Sequence, residues 1–561
     1  MGARVSELRR PAAWSRSELA ATALIAALAL ALRVAHLLEI RSRDPYLALP
    51  AGTASAYEQW AIEIARGSGF GEGASALAPL YAYFLGALYW AFSGSALVAA
   101  IAQAAIGALN PVLVIAVGRR LFDRRVALLA GAICAVYSTL LFYGAVLSPA
   151  NLAVPCALLL ALAAARAQQL PTPLRWLALG AALGLCALAG EALLLLAPLI
   201  ATWPLLLGEP SLARARAWRA VAIIGVGMSA SILPVALRNG IAADGLALID
   251  ANAGVAFYEA NQHNASGNYG MPRRYPRAVA DAHVDPRRLF GAVAEQAARH
   301  ELASDAVSAF WAREGALSIA AEPWRWLRLE LRKLGTFWNA AEPWLDRSPS
   351  AERELSRVRR LPLPGFGLVA PLALLGLVLA AREWRRLYAL YAILAAQLAS
   401  ALVFSVSAEQ RLVAVPALML FAAFASCWLW DRARAKRGRA LGIGAAALAA
   451  AAAFVHLPIA RDNYARAYHE LGLRFAELER WDQAIEYFGR SLNRDPGAVS
   501  AWSHLALAFE ARGGRQRDAV HSWLRVLDLA RREEFALHAE RAERHLRALG
   551  FEPQDAPPGL H

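Results

Sequence analysis

Lysine is almost missing from this chain: only Lys333 and Lys436 occur among 561 residues, so the formal charge of +14 is carried by arginine. Those arginines cluster in short segments between apolar runs, which is the pattern of membrane topology and not of a nucleic-acid-binding face. No nucleic-acid partner is expected. Cysteine is equally scarce. Cys134, Cys156, Cys186 and Cys427 all fall inside apolar stretches, which excludes a disulfide framework and a C-x-x-C metal site and leaves them as packing residues. Charged residues are only 18% of the chain, against 58% hydrophobic residues and a mean hydropathy of +0.37. An ordinary soluble protein is thereby excluded. A transporter is disfavoured, because Glu191 is the main charge within the apolar runs and no internal repeat links their two halves.

What is present is a series of apolar runs of the length that spans a bilayer, roughly 20 residues each. They lie near 18–38, 95–118, 126–146, 150–167, 174–190, 191–207, 218–237, 363–381, 385–404, 412–430 and 440–458, which makes about 11 transmembrane helices. The run 18–38 follows basic residues and is too long for a signal-peptide core, so it reads as a retained signal anchor. The shorter run 77–92 is assigned to the interface, because counting it as a span would put Arg119, Arg120, Arg124 and Arg125 outside. The Gly190/Glu191 split is the weakest, since the two runs around it could be one bent hairpin. The expected organisation is a cytoplasmic N-terminus (1–17), a membrane domain (18–458) with outer loops 39–94 and 238–362, a repeat domain (459–550) and a disordered tail (551–561). The outer side then also holds the turn 405–411 and everything after 459.

The C-terminal region carries Tyr468, Leu471, Gly472, Phe475, Ala484, Phe488 and Pro496 at the spacing of the 34-residue tetratricopeptide pattern. A second copy follows with Trp502, Leu505, Ala506, Phe509, Ala519 and Trp523, and then a capping helix near 531–549. An α-superhelix of this kind binds a protein partner on its concave face, or else simply steadies the membrane domain.

In the first outer loop Tyr57, Trp60, Ala61 and Ile64 share one face of a short helix suited to a membrane surface. That tyrosine helix ends in Ala65-Arg66-Gly67 and is followed by P-L-Y-x-Y-F-L from Pro79, a spanning helix and Gly118-Arg-Arg-Leu-Phe122. In this order the segments resemble the protein O-mannosyltransferase and lipid A aminoarabinose transferase group of GT-C glycosyltransferases, and more closely their bacterial tetratricopeptide-bearing relatives. Residues 238–272, 326–344 and the turn S-A-E-Q-R-L-V-A-V-P from Ser407 continue the likeness. The resemblance implies an all-α, polytopic GT-C fold in the bacterial inner membrane. It also implies a polyprenyl-phosphate sugar donor, an envelope acceptor and periplasmic chemistry.

In that family a carboxylate of the first outer loop acts as base on the acceptor hydroxyl, and the position matching it here is Thr53. Threonine cannot serve as a carboxylate base. Either Asp44 or Glu58 substitutes for it, or the protein is a lapsed relative that holds a lipid carrier and recruits partners. Asp44 also reads as a turn residue before Pro45, and Glu58 also reads as the far member of a capping box opened by Ser55. For substrate binding the candidates are Thr53, Tyr57, Tyr258, Asn261, Glu342 and Arg411. Tyr258, Asn261, Asn264 and Asn268 carry phenol and amide groups suited to sugar hydroxyls, or to ordering a polar loop. Arg411 is the leading cation for the carrier phosphate, ahead of Arg238, Arg273, Arg274, Arg332 and Lys333, with headgroup snorkelling as the alternative. Trp324, Trp326, Trp338 and Trp344 read as an interfacial belt. Glu342 matches a family acidic residue, with a salt bridge as its other role. No metal ligand set or organic cofactor is assigned, and metal dependence stays open.

Overall fold

The computed structural model describes residues 13–67, 77–92, 94–206, 214–242, 253–266, 294–295, 304–460, 462–532 and 535–552. Among these the regular structure is entirely helical. Asn268, Arg273, Arg274 and the expected tail from 553 onward lie outside the described residues.

The chain divides into two compact units. The first comprises Met1–Glu39, Gly52–Asp346 and Ser356–Arg461. Its helices run α1 (Arg16–Ile40), α2 (Thr53–Ala65), α3 (Pro79–Phe92), α4 (Ala96–Leu121), α5 (Arg124–Val136), α6 (Ser138–Tyr143), α7 (Ala150–Gln169) and α8 (Pro173–Ala189). They continue with α9 (Leu196–Leu206), α10 (Arg214–Ala242), α11 (Ala253–Asn261), α12 (Ser304–Ala321) and α13 (Pro323–Trp338). After the four-residue turn α14 (Arg357–Arg360) come α15 (Phe366–Ala380), α16 (Tyr388–Val403), α17 (Ala408–Arg411), α18 (Val415–Arg434) and α19 (Gly438–Val455).

Among the described residues six helices are long and apolar enough to cross a bilayer, within Arg16–Ile40, Ala96–Leu121, Ala150–Gln169, Ala215–Arg238, Phe366–Glu383 and Gly438–Val455. Shorter apolar helices occupy Pro173–Ala189, Ala192–Leu206 and Tyr388–Val403. The chain is an all-α, multi-pass membrane protein. Large apolar side chains such as Leu24, Val226, Leu174 and Val378 stand exposed on these helices, which suits contact with lipid and would be costly in water. Two apolar runs are less regular than expected. The run 126–146 breaks at the extended residue Tyr137, where Ser138 N donates instead to Pro364 O at 3.0 Å. The run 191–207 opens with a 3-10 turn, Glu191–Leu195, after a helix stop at Gly190.

Helices α8 and α10 cross at small residues. A Cβ on Gly180 would lie 2.1 Å from Ile224 O, and one on Gly227 would lie 2.4 Å from Leu177 O, so only glycine permits this backbone approach. The arginine-rich ends gather on one side of the unit. Glu18 pairs with Arg119 at 3.3 Å, Arg125 with Asp431 at 2.9 Å, Arg120 with Gln169 at 2.7 Å, and Gln168 donates to Arg385 O at 3.0 Å.

The second unit comprises Ile40–Ala51, Arg347–Leu355 and Asp462–His561. Its helices α20 (Tyr464–Glu477), α21 (Trp481–Leu492), α22 (Val499–Arg512), α23 (Gln516–Arg532) and α24 (Ala536–Ala548) each pack on the next. The apolar positions of the spacing pattern are its interior: Leu471, Phe475, Ala484, Phe488, Ala506 and Trp523 are buried. Gly472 lets the ring of Phe488 come close enough that a Cβ would meet it at 2.6 Å. Two outer-loop stretches, 40–51 and 347–355, belong to this unit together with the tail. Polar anchors explain it: Glu354 accepts from Tyr468 Oη at 3.1 Å and pairs with Arg490, while Arg480 Nη1 donates to Ser42 O at 3.2 Å.

Candidate functional site

On the side of the first unit away from the arginine-rich ends, five segments converge: the start of α2, the α6–α7 junction, the segment after α13, the turn α17 and the start of α15. Arg411 of α17 is the hub. It is only 2% exposed. Its Nη1 donates to Phe337 O at 3.0 Å and Asn339 O at 2.9 Å, and its Nη2 to Ala341 O at 3.1 Å and Glu342 Oε2 at 2.9 Å. The guanidinium carbon also lies 3.6 Å from the centre of the Phe366 ring. Four donated bonds and a buried stack make Arg411 a clamp on the segment 337–342. Glu342, its partner, also accepts from Thr139 Oγ1 at 2.9 Å.

Two carboxylates that the sequence reading passed over join this region. Glu409, two residues before Arg411, accepts from Ser148 Oγ at 2.5 Å. Burial pushes its carboxyl up to about 7, with the Ser148 bond opposing and the charge of Asp346 adding to the rise. Asp346 Oδ2 accepts from the backbone N–H of Thr53 at 2.8 Å. Glu409 had a signal in the quoted turn from Ser407, whereas Asp346 had none, because its contact lies 293 residues away.

The first-loop candidates separate. Thr53 opens α2 and presents its amide to Asp346. Tyr57 is buried, accepts from Ala78 N at 3.1 Å and packs edge-on against Tyr81 at 4.9 Å, so it ties α2 to α3. Glu58 is half-buried and accepts from Tyr89 Oη at 3.2 Å; burial raises its carboxyl, and the tyrosine bond opposes. The capping-box reading of Ser55 and Glu58 is corrected: the N-cap is Gly52, at φ 56°, and α2 starts at Thr53.

Asp44 lies in the second unit. It caps the turn Pro45–Leu47 through Tyr46 N at 2.9 Å and accepts from Arg347 Nη2 at 2.5 Å. Arg347 also pairs with Glu352; burial opposes its charge, but the two carboxylates outweigh burial and push the guanidinium up. Both Asp44 oxygens are thus engaged, Oδ1 by a backbone amide and Oδ2 by a buried arginine.

In the central loop Asn261 is buried and its amide is fully engaged. Its Nδ2 donates to Phe257 O and Val403 O, both at 2.9 Å, and its Oδ1 accepts from Lys333 Nζ at 3.1 Å and Trp326 Nε1 at 3.2 Å. This set pins α11 to α13 and α16, which favours loop ordering over sugar recognition. Tyr258 packs against Trp311 with ring centres 4.5 Å apart. Lys333 donates further to Glu330 and to Leu402 O, and burial pulls its amine down while Glu330 opposes. An open apolar recess of about 440 Å³, lined by Ala253, Gly254, Phe257, Ser308, Ala309, Ala312, Val403 and Phe404, contains no ionisable side chain. The Arg238 guanidinium lies 6.0 Å from the Trp60 ring on α2. Among the described residues no three His, Cys, Asp or Glu side chains form a metal-holding set.

Part of the helical framework around this convergence matches a family model. Residues 76–235 match the family model for dolichyl-phosphate-mannose-protein mannosyltransferase. A search of curated proteins gives no match. Among solved structures, the oligosaccharyltransferase AglB from Archaeoglobus fulgidus, in complex with an inhibitory peptide and a dolichol-phosphate, is similar at 14% identity and TM-score 0.42. That likeness covers 84% of this chain and 59% of the other. The same archaeal enzyme with Zn and sulfate gives 16% identity and TM-score 0.41 over 83% and 56%. The chain spans less than two thirds of these structures, and likeness at this level carries no argument about chemistry. The family model covers 160 of the 561 residues, from α3 into α10, within a multi-pass membrane chain.

Proposed function

We propose that the protein transfers a sugar from a polyprenyl-phosphate-linked donor to a hydroxyl of a cell-envelope acceptor. The reading places it in the bacterial inner membrane, with about eleven crossings, a cytoplasmic N-terminus and a periplasmic tail. The observation that carries it is the gathering of Asp346, Glu409 and Glu342 at one end of the helices around the matched domain, opposite the arginine-rich ends. Carboxylates at a membrane surface suit inverting transfer, in which a base takes the acceptor proton as the anomeric carbon is attacked. The carrier phosphate needs a cation at that surface. With Arg411 clamped by backbone carbonyls, Arg238 beside Trp60 is the better candidate. The exposed apolar helix faces suit an isoprenoid chain. The tail, read as tetratricopeptide repeats, would engage a protein partner.

Incubating the protein in nanodiscs with polyprenyl-phosphate sugars labelled in the sugar, together with envelope extract, tests this. Label passing to an acceptor that is not the carrier supports it. Retention of all label on the carrier, with tight lipid binding, favours the second reading, a lapsed relative that holds the lipid. Thr53 and the full engagement of Arg411 and Asn261 are the observations on that side.

A further inference from the structure

We propose that the arginine-rich end of the first unit holds an anionic phospholipid whose headgroup carries two phosphates, gripped by Arg120, Arg166 and Arg175. These residues stand at adjoining helix ends: the last turns of α4 and α7 and the first turn of α8. Arg120 Nη1 donates to Gln169 Oε1 at 2.7 Å, and Arg175 Nη1 donates to Arg166 O at 2.8 Å and Leu170 O at 3.3 Å. Neutral oxygens thus fix two of the three guanidinium groups without neutralising them. The charges of Arg166, Arg175 and Arg119 all bear on Arg120 and repel it. Among the described residues no carboxylate binds Arg120, Arg166 or Arg175, whereas Arg119 and Arg124 have Glu18, and Arg125 has Asp431. Two further donors at this end are buried without a hydrogen-bond partner among the described residues. They are Gln169 Nε2 and Arg386 Nε, the latter next to Arg385, whose carbonyl accepts from Gln168. Like charges crowded in this way favour an anion bound among them.

The surroundings identify the anion as a lipid headgroup. Trp176 of α8 packs on Trp203 with ring centres 6.2 Å apart, Trp203 stacks on Tyr388 at 5.7 Å, and Trp384 lies 6.3 Å from Tyr388 with Arg385 over its ring. Aromatic groups of this kind lie at headgroup depth in a bilayer. Leu170 and Leu174, which bracket the loop into α8 beside Arg175, are exposed and offer apolar surface to acyl chains. A soluble anion has no use for that surface. Guanidinium binds phosphate oxygens in pairs, and three such groups carry more charge than one phosphodiester balances, so a headgroup with two phosphates is the better match. The inference concerns the side away from the carboxylates and does not rest on the transfer reading.

The test is lipid retention by the full chain released from nanodiscs of neutral phospholipid, read by native mass spectrometry. Each nanodisc contains a minor share of diphosphatidylglycerol, phosphatidylglycerol or polyprenyl phosphate. Wild type is expected to keep the two-phosphate lipid about tenfold above its share of the bilayer, and the other two less. The variant Arg120→Gln, Arg166→Gln, Arg175→Gln should fall to the bilayer share. A control with Arg434→Gln, Arg437→Gln and Arg439→Gln removes the same charge from the junction of α18 and α19 at the same end, and should retain the lipid as wild type does. Because Arg175 also ties down two carbonyls, Arg166→Glu is measured alongside; that side chain is exposed, so retention should drop with the melting temperature in neutral nanodiscs unchanged. Wild-type retention at the bilayer share overturns the proposal. So does equal loss in the two triple variants, which leaves a general attraction of arginines for anionic lipid, or full retention by Arg166→Glu. Phosphatidylglycerol held as well as the two-phosphate lipid overturns the assigned headgroup, and polyprenyl phosphate held in preference to both overturns it in favour of the carrier.

Discussion

Arg411 and Glu342 are bound to each other, Nη2 to Oε2 at 2.9 Å, while the same guanidinium holds the backbone carbonyls of Phe337, Asn339 and Ala341. One side chain from the turn before α18 therefore fixes the path of the chain after α13. Arg411→Ala removes one partner of a buried pair and orphans three carbonyls, a loss of about 3–5 kcal/mol. Arg411→Lys should restore little of it, because an ammonium cannot fork between the carbonyls and the carboxylate. Thermal unfolding in nanodiscs checks this. A large fall in lipid affinity with no change in melting would return Arg411 to the phosphate.

Glu409 gives a pH dependence with a definite sign. Its carboxyl is raised by burial from the ordinary value of 4.5 to about 7. The folded state therefore holds the proton more tightly than the unfolded state. The stability this contributes is fully present below about 4.5 and is lost as pH rises through about 7. Glu409→Gln mimics the protonated form, so it should melt close to wild type at pH 5 and above it at pH 8. Parallel melting curves across that range would show that Glu409 does not titrate there.

For Asp44, the buried pair with Arg347 makes the expected effect of substitution structural. Asp44→Ala should loosen the segments 40–51 and 347–355 and cost about 3 kcal/mol, read as faster amide hydrogen exchange at 347–355. Loss of transfer with exchange unchanged would point instead to a chemical role.

Topology follows from the arginine asymmetry. A reporter fused after Arg461 should be active only if it works outside the cytoplasm, and one fused before Arg16 only if it works inside. Activity of a cytoplasm-only reporter after Arg461 would contradict the outward-facing site.

The apolar runs disclosed the helices because twenty residues of lipid-facing side chains leave a composition that no turn imitates, and Arg119, Arg125 and Arg385 marked their common end. The interior of the tail was legible for a similar reason: Leu471, Phe475, Phe488 and Trp523 recur at a fixed spacing and are buried. The site was less legible. Glu58 resembled a cap only because the positive φ of Gly52, which starts α2 at Thr53, leaves no trace in a propensity pattern. Arg411 looked like an isolated cation because its partners, Phe337 to Glu342, are mostly backbone oxygens that any sequence would supply. Asp346 meets Thr53 only through the fold, at a separation that no local motif spans.

The most direct measurement of the central claim is acceptor-dependent release of free polyprenyl phosphate by the purified protein in nanodiscs, loaded with a single polyprenyl-phosphate sugar. Transfer requires one carrier phosphate freed for each sugar moved, at a rate that rises with added envelope acceptor and vanishes without it. Carrier release that is absent, or that proceeds equally with water alone, would contradict a glycosyltransferase acting on an envelope hydroxyl.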